Sequence, residues 1–343
     1  MSLASIQKVV AVKKHPNADL LDITQVINYE CITKRDQFKV GDLVIFIEPD
    51  SVLPDKPWAT FYNSKSNRVK AIRLRGEWSF GIIESFENVG LYYDPENGYL
   101  RFSEGDDITE VLGITKYEVP QPQDLSASGV YGFGIPKTDE DKWQGLRNLP
   151  YGEKVDVTLK IDGQSFSALY NKYQDADMAM ITNGGWTVVK AIGGRSFLFK
   201  QNIDNNYSRN EKRYDVLNKL EAYCIANSVN LCIRGESYGL GIQSFSHNPH
   251  SKLPLDLAFF STWLIDERKY ATKGHPLYIF DLAPKLDLPT VPILEKDVIL
   301  TPELIKKYDS DLTTINGVPF EGVVINHANG SFKVINKSYD SKK

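Results

Sequence analysis

Over the first 120 residues the apolar positions fall in short runs, each closed by turn-forming residues. The runs QKVVAVKKH (7–15), DLLDITQVI (19–27), DLVIFIEP (42–49), RVKAIRLRG (68–76) and FGIIESF (80–86) are rich in β-branched and aromatic side chains, with Asn, Asp, Gly and Pro between them. Five strands at this spacing predict a small closed β-barrel. The second half mixes strand-like runs, VDVTLKI (155–161), FSALY (166–170), LCIRGES (231–237), PLYIFDL (276–282) and GVVINH (322–327), with helix-like stretches. Over 209–227, Tyr214, Leu217, Leu220, Tyr223 and Cys224 recur at three- and four-residue intervals, which predicts one helix with a core-facing stripe. TPELIKKY predicts a second, with Thr301 as N-cap and Pro302 in the first helical position. Between the halves, VPQPQDLSAS has the composition of a connector, so the expected division is 1–120, a linker at 121–127, and 128–343.

With 343 residues, 42% of them hydrophobic, the chain has material for two cores. It shows no signal-peptide pattern and no apolar run near the roughly 20 residues needed to span a bilayer, so a soluble intracellular protein without a membrane partner, most simply a monomer, is expected. Cys31, Cys224 and Cys232 are odd in number and lack CxxC spacing, so buried thiols are expected rather than disulfides or a zinc knuckle. A net charge of -4 argues against binding nucleic acid through global charge. A local exception is the basic stretch Lys65, Arg68, Lys70, Arg73 and Arg75, which is either a solvated strand face or an RNA-contacting one.

HPNADLLDI (15–23), VGDLVIFI (40–47) and IRLRGEWSFGII (72–83) together resemble the OB-fold tRNA-binding domains attached to some aminoacyl-tRNA synthetases. The resemblance implies a nucleic-acid-binding barrel in which Arg73 and Arg75 follow the RNA backbone. Trp78 and Phe80 either stack on bases or fill the barrel core.

A second series runs through the other half. Lys160-Ile161-Asp162-Gly163 follows a strand-like run; alone, such a tetrapeptide is also what a solvent lysine entering a turn looks like. Downstream come Gly194-Arg195, Arg234-Gly235-Glu236-Ser237-Tyr238-Gly239, Tyr278-Ile279-Phe280-Asp281, Glu321-Gly322-Val323-Val324, and Lys333 through Lys337. In this order the set resembles the nucleotidyltransferase motifs shared by ATP-dependent DNA ligases, RNA ligases and mRNA capping enzymes. The expected fold class is therefore α+β: an N-terminal OB-like barrel followed by a nucleotidyltransferase domain of antiparallel sheets.

The resemblance implies that Lys160 is the nucleophile that takes AMP from ATP. A lysine must shed its proton to attack, and burial together with nearby Lys333, Lys337 and metal is expected to lower its pKa. Lys333 and Lys337 are implied at the α-phosphate. Asp162, Glu236 and Glu321 are implied around Mg²⁺ or Mn²⁺, partly through water, with Glu236 also near the ribose. Phe280 is implied as the adenine-stacking ring, and Arg195 at a phosphate or the RNA 3′ end. His247 and His250 lie in HNPH, whose proline-broken spacing reads as a loop rather than a metal pair.

Pro136-Lys137-Thr138-Asp139-Glu140 resembles a segment found upstream of the lysine in several RNA ligases. Where those continue with an arginine, this chain has Lys142-Trp143-Gln144, so Lys142 or Arg147 is expected to substitute. DNA ligases and capping enzymes carry an OB domain after the last lysine motif, whereas only six residues follow Lys337 here. The order resembles the Naegleria-type RNA ligases with an N-terminal OB module, which implies joining of RNA 3′-OH and 5′-phosphate ends, with nicks in duplex RNA as the expected substrate. A DNA ligase, a capping guanylyltransferase and a non-catalytic tRNA- or RNA-binding OB protein are the alternatives.

Overall fold

The computed structural model describes residues 2–62, 67–91, 102–117, 127–131, 133–137, 140–174, 186–200, 203–311 and 314–340. Lys65, Thr138, Asp139 and nearly all of the expected linker lie outside these. The chain forms two units, one of residues 1–122 with 143–149 and one of 123–142 with 150–343.

In the first unit, Tyr29–Lys34, Leu21–Val26, Ala4–Lys14, Leu43–Ile47 and Ile82–Glu84 lie side by side in one antiparallel sheet. Alternate residues of Leu21–Val26 and Tyr29–Lys34 are buried, the two-residue period of a half-buried strand. Val9, Val26, Tyr29, Cys31, Val44, Phe46 and Ile83 fill the interior. The Phe80 amide donates to the Glu30 carbonyl at 2.8 Å, which brings the last strand back toward Tyr29–Lys34 and nearly closes the barrel. The expected strand at 68–76 is shorter than its composition suggested. Arg68 makes a separate antiparallel bridge to Val52, and Ile72–Leu74 forms a hairpin with Glu77–Ser79 whose two turn residues, Arg75 and Gly76, have φ of 46° and 98°. A turn with two positive φ values matches the twist of the flanking strands.

Residues 143–149 pack with this unit: Asn28 donates to the Leu146 carbonyl at 2.9 Å, and Arg147 to Glu104 at 2.9 Å and Gln7 at 2.8 Å.

The second unit holds a seven-stranded antiparallel sheet with Gln164–Gln174 and Leu231–Tyr238 near its centre. It also holds a five-stranded sheet in the order Asp141–Lys142, Gly330–Ile335, Gly322–His327, Lys154–Lys160, Ile293–Ile299. The expected antiparallel pairing holds throughout except between Asp141–Lys142 and Gly330–Ile335, which run parallel. The helix expected at 209–227 is two helices, Asn206–Tyr214 and Val216–Asn227, because Asp215 between them adopts φ 52°. Aspartate tolerates that left-handed conformation better than most residues, and it ends the first helix. Leu220 and Cys224 are buried against Phe166, Ala168 and Ile233 as the stripe required. Thr301 caps Pro302–Lys306 by accepting from the Leu304 amide at 3.2 Å. The strand-like PLYIFDL instead contains a short helix, Ile279–Leu282, anchored by buried Ile279 and Leu282; a short apolar run does not by itself separate strand from helix. All three cysteines are free and buried. Among the described residues no helix is long and apolar enough to cross a membrane.

Candidate active site

Strand pairing assembles the site. Lys160, the last residue of Lys154–Lys160, lies opposite Gly322, which places it beside Glu321. Its Nζ donates to Glu321 Oε2 at 2.7 Å, with the lysine side chain 26% and the glutamate 12% exposed. A Cβ on Gly322 would sit 2.3 Å from the Val334 carbonyl oxygen, so the neighbouring strand approaches too closely for any other residue. Gly163 is equally constrained, since a Cβ there would lie 2.4 Å from the Ser237 carbonyl oxygen and 3.0 Å from Glu236 Cγ. Its amide donates to Glu236 Oε1 at 3.1 Å, which joins the turn after the lysine to Leu231–Tyr238 of the other sheet.

Charge in this cluster is finely opposed. Burial pushes the Glu236 carboxyl up; Lys160 pulls it down, while Glu321 and Asp162 add repulsion, and it settles at about 8. For Lys160, burial alone would lower the pKa. Attraction from Glu321 and Glu236, the hydrogen bond to Glu321 and a smaller effect of Glu140 outweigh it, and the pKa is raised. Carboxylates, rather than Lys333 and Lys337, dominate its surroundings, so of the causes expected to lower its pKa burial acts in that direction here and the two lysines do not. Lys337 is paired with Asp309 at 2.7 Å. Lys333 lies opposite Val324 and beside Lys142 of the parallel strand. Of the two substitutes considered for the missing arginine, Lys142 is thus next to the lysine motif, whereas Arg147 is bonded to Glu104 and Gln7.

Asp162 is 5% exposed, and its Oδ2 accepts from Tyr339 OH at 3.1 Å. Among the described residues no three His, Cys, Asp or Glu side chains converge into a ready-made metal cage. Glu236 and Glu321 both act on Lys160, while Asp162 is turned to Tyr339. Burial lifts Glu236 most, with Glu321 and Asp162 adding repulsion, and a divalent cation beside Glu236 and Glu321 that keeps most of its water would relieve that repulsion.

Phe280 packs with Ile161, Ala258 and Val291, directly behind the lysine turn, and its ring centroid is 5.2 Å from that of Tyr278. Buried Asp156, on the lysine strand, ties this region down by accepting from Lys273 at 2.6 Å, the Asp297 amide at 3.0 Å and Tyr278 OH at 3.4 Å. Arg195 is exposed in the turn between Trp186–Gly193 and Phe197–Phe199. Gly193 pairs with Ser167 and Ser167 with Arg234, which puts Arg195 at the same end of the sheet as Glu236, two strands away. His250 meets Tyr238 edge-on at 5.6 Å, and His247 bonds Ser246 at 2.9 Å.

In the first unit, Arg73 lies 6.0 Å from the Trp78 ring, which stacks on Phe80 at 5.9 Å. Phe80 also packs on the barrel core. His15 bonds the Leu74 carbonyl at 3.2 Å, and Asn17 donates to that of Arg75 at 2.9 Å, so the HPN turn braces the hairpin. Arg68 is instead paired with Asp50 at 2.5 Å.

Sequence reasoning missed Tyr339, Asn248, Lys273 and Asp156. Only Asp156, an acidic residue inside an apolar strand run, offered a signal there.

A family model described as an OB-fold domain matches residues 3–86, and the RNA ligase model matches residues 153–339. A curated relative, the phenylalanine–tRNA ligase beta subunit of Syntrophotalea carbinolica, is 29% identical over 136 residues; the match takes in 36% of this chain, which spans only 16% of that protein's length. Among solved structures, a mutant of Naegleria gruberi RNA ligase with ATP and Mn is 26% identical, with a TM-score of 0.78, covering 100% of this chain and 99% of that one. Another mutant of the same protein, with AMP and Mn, is 25% identical with a TM-score of 0.79, covering 100% of this chain and 99% of that one.

Proposed function

Since the chain belongs to the RNA ligase family, whose model matches residues 153–339, we propose that it is an ATP-dependent RNA ligase with Lys160 as its nucleophile. The observation that carries the assignment is the joint held by Lys160, Glu321, Gly163 and Glu236. One strand pairing and one amide–carboxylate bond there bring three separated motifs to a single amine.

Lys160 attacks the α-phosphorus of ATP. A nitrogen–phosphorus bond forms, the bond to pyrophosphate breaks, and lysyl-AMP remains. Attack requires the neutral amine, so the proton leaves along the hydrogen bond to Glu321. Glu236, Glu321 and Asp162 would hold Mg²⁺ or Mn²⁺, which supplies positive charge that favours the neutral amine and neutralises phosphate. Phe280, fixed behind Ile161, offers its ring to adenine. Lys333 and Lys337 neutralise the α-phosphate, and Arg195 orients a phosphate or the RNA 3′ end.

The AMP then passes to an RNA 5′-phosphate, and the 3′-OH of the adjoining strand displaces it to close the phosphodiester, with nicked duplex RNA as the substrate. The barrel hairpin, with Arg73, Arg75 and Trp78, binds RNA by backbone charge and stacking. Residues 1–120 act as the RNA-binding part and 128–343 as the transferase.

The experiment is to incubate the chain with α-labelled ATP or α-labelled GTP, then add a nicked RNA duplex, a nicked DNA duplex or neither. Discharge of the label by nicked RNA with sealed product supports the reading. Equal sealing of all-DNA nicks, or labelling by GTP in preference to ATP, points to one of the other enzyme classes.

A further inference from the structure

The stretch 239–255, between the Glu236 strand and Asp256–Leu264, has no role in the mechanism above, yet it holds a completely buried asparagine. Asn248 has no exposed surface. Its Nδ2 donates to the main-chain carbonyl of Asp162 at 3.0 Å and to that of Gln243 at 3.1 Å. Its Oδ1 accepts from the His250 amide at 3.0 Å. Both donor hydrogens and the acceptor are used, which satisfies a buried amide.

The bond to Asp162 differs in kind from the other two, which stay inside the loop. The Asp162 carbonyl and the Gly163 N–H belong to one planar peptide unit, and in a trans peptide they point in opposite directions. Asn248 holds the oxygen of that unit, and Glu236 accepts from its N–H at 3.1 Å. The plane therefore cannot rotate without breaking both bonds, and its orientation fixes where the Glu236 carboxylate rests. The loop is also seated at three further points, one of them the Gln243 side-chain amide, which donates to the Gly163 carbonyl at 3.4 Å. Phe245 meets Tyr339 edge-on at 5.4 Å, where Tyr339 holds the Asp162 carboxylate, and His250 meets Tyr238 on the Glu236 strand.

We propose that Asn248 is a positioning residue for self-adenylylation, clamping the Asp162–Gly163 peptide so that Glu236 is held in place beside Lys160. This rests on the ligase reading for its catalytic consequence, though not for its structural one.

The test compares the full-length wild type with Asn248→Ala and Asn248→Asp. The aspartate variant keeps an acceptor for the His250 amide and loses the donors to Asp162 and Gln243, so it separates the cap on His250 from the Nδ2 contacts. In the ligand-free proteins, hydrogen exchange at the Gly163 amide is expected to speed up about tenfold or more in both variants. With ATP and Mn²⁺, the self-adenylylation rate is expected to fall about tenfold or more while KM for ATP stays within about twofold. Wild-type rate and Gly163 protection in Asn248→Asp would overturn the proposal, because loop capping would then be the whole role. Should Asn248→Ala fail to fold, the aspartate variant carries the same comparison. A wild-type chain that takes no AMP counts against the ligase reading, and the exchange comparison still decides what Asn248 does.

Discussion

The Nζ of Lys160 and the Oε2 of Glu321, 161 residues apart in sequence, meet at 2.7 Å because Lys160 and Gly322 are cross-strand partners. Glu321 accepts the Lys160 hydrogen bond and, in the proposed mechanism, the proton itself, so Glu321→Gln should slow self-adenylylation by about 10²-fold or more. The thermal midpoint should fall too, since the pair is mostly buried and the amide leaves the Lys160 ammonium less compensated. Single-turnover labelling beside a melting curve checks both parts. A rate near wild type would remove Glu321 from the chemistry.

Glu236 yields a pH prediction with a definite sign. Its carboxyl is raised from 4.5 to about 8 by burial and by Glu321 and Asp162, against the pull of Lys160. Between those two values the native state binds more protons than the unfolded one, so this group's contribution to stability falls as pH rises. Glu236→Gln should stabilise the ligand-free protein at pH 9 by at least about 1 kcal/mol relative to its effect at pH 5, while abolishing AMP transfer. Denaturant titrations at the two pH values measure this; a pH-independent difference would contradict the assignment.

Asp156 is buried and depends on Lys273, whose Nζ is 2.6 Å away. Lys273→Met leaves a carboxylate without its cation and should destabilise the second unit by about 3–5 kcal/mol, measured by chemical denaturation. Lys273→Met combined with Asp156→Asn should recover much of that loss.

Phe280 sits on the Ile161 cluster with part of its ring open. Phe280→Ala should raise KM for ATP about tenfold, and Phe280→Tyr should keep it near wild type. Equal KM values for all three would show that the ring packs the turn and does not touch adenine.

On the barrel, Trp78→Ala should weaken single-stranded or nicked RNA binding by about 1–3 kcal/mol if a base stacks there. Arg73→Ala and Arg75→Ala should each lower affinity across sequences and reduce the slope of log affinity against log salt by about one. Fluorescence anisotropy at several salt concentrations separates stacking from charge.

Much of this architecture is legible in the chain because its signals are local. Strand alternation marks Leu21–Val26 and Tyr29–Lys34, Thr301-Pro302 marks a helix start, and the order of Lys160, Glu236, Phe280, Glu321 and Lys333 marks a resemblance. What was not legible depends on contacts between distant segments. Asp215 breaks a helix whose apolar stripe runs on through it. Phe280 lies in a short helix because its neighbours Ile279 and Leu282 are buried, which composition alone does not reveal. The pKa of Lys160 rises because strand register sets a carboxylate against it, and no run of residues around position 160 contains that carboxylate. Tyr339 and Asn248 reach Asp162 from 177 and 86 residues away, so neither position is marked by any local pattern.

The most direct test of the central claim is peptide mass spectrometry on the chain after incubation with ATP and Mn²⁺, alongside Lys160→Ala and Lys160→Arg. AMP should appear as an acid-labile adduct on the peptide containing Lys160 and on no other, and both variants should carry none. AMP on a different residue, or undiminished labelling of Lys160→Ala, would contradict the account.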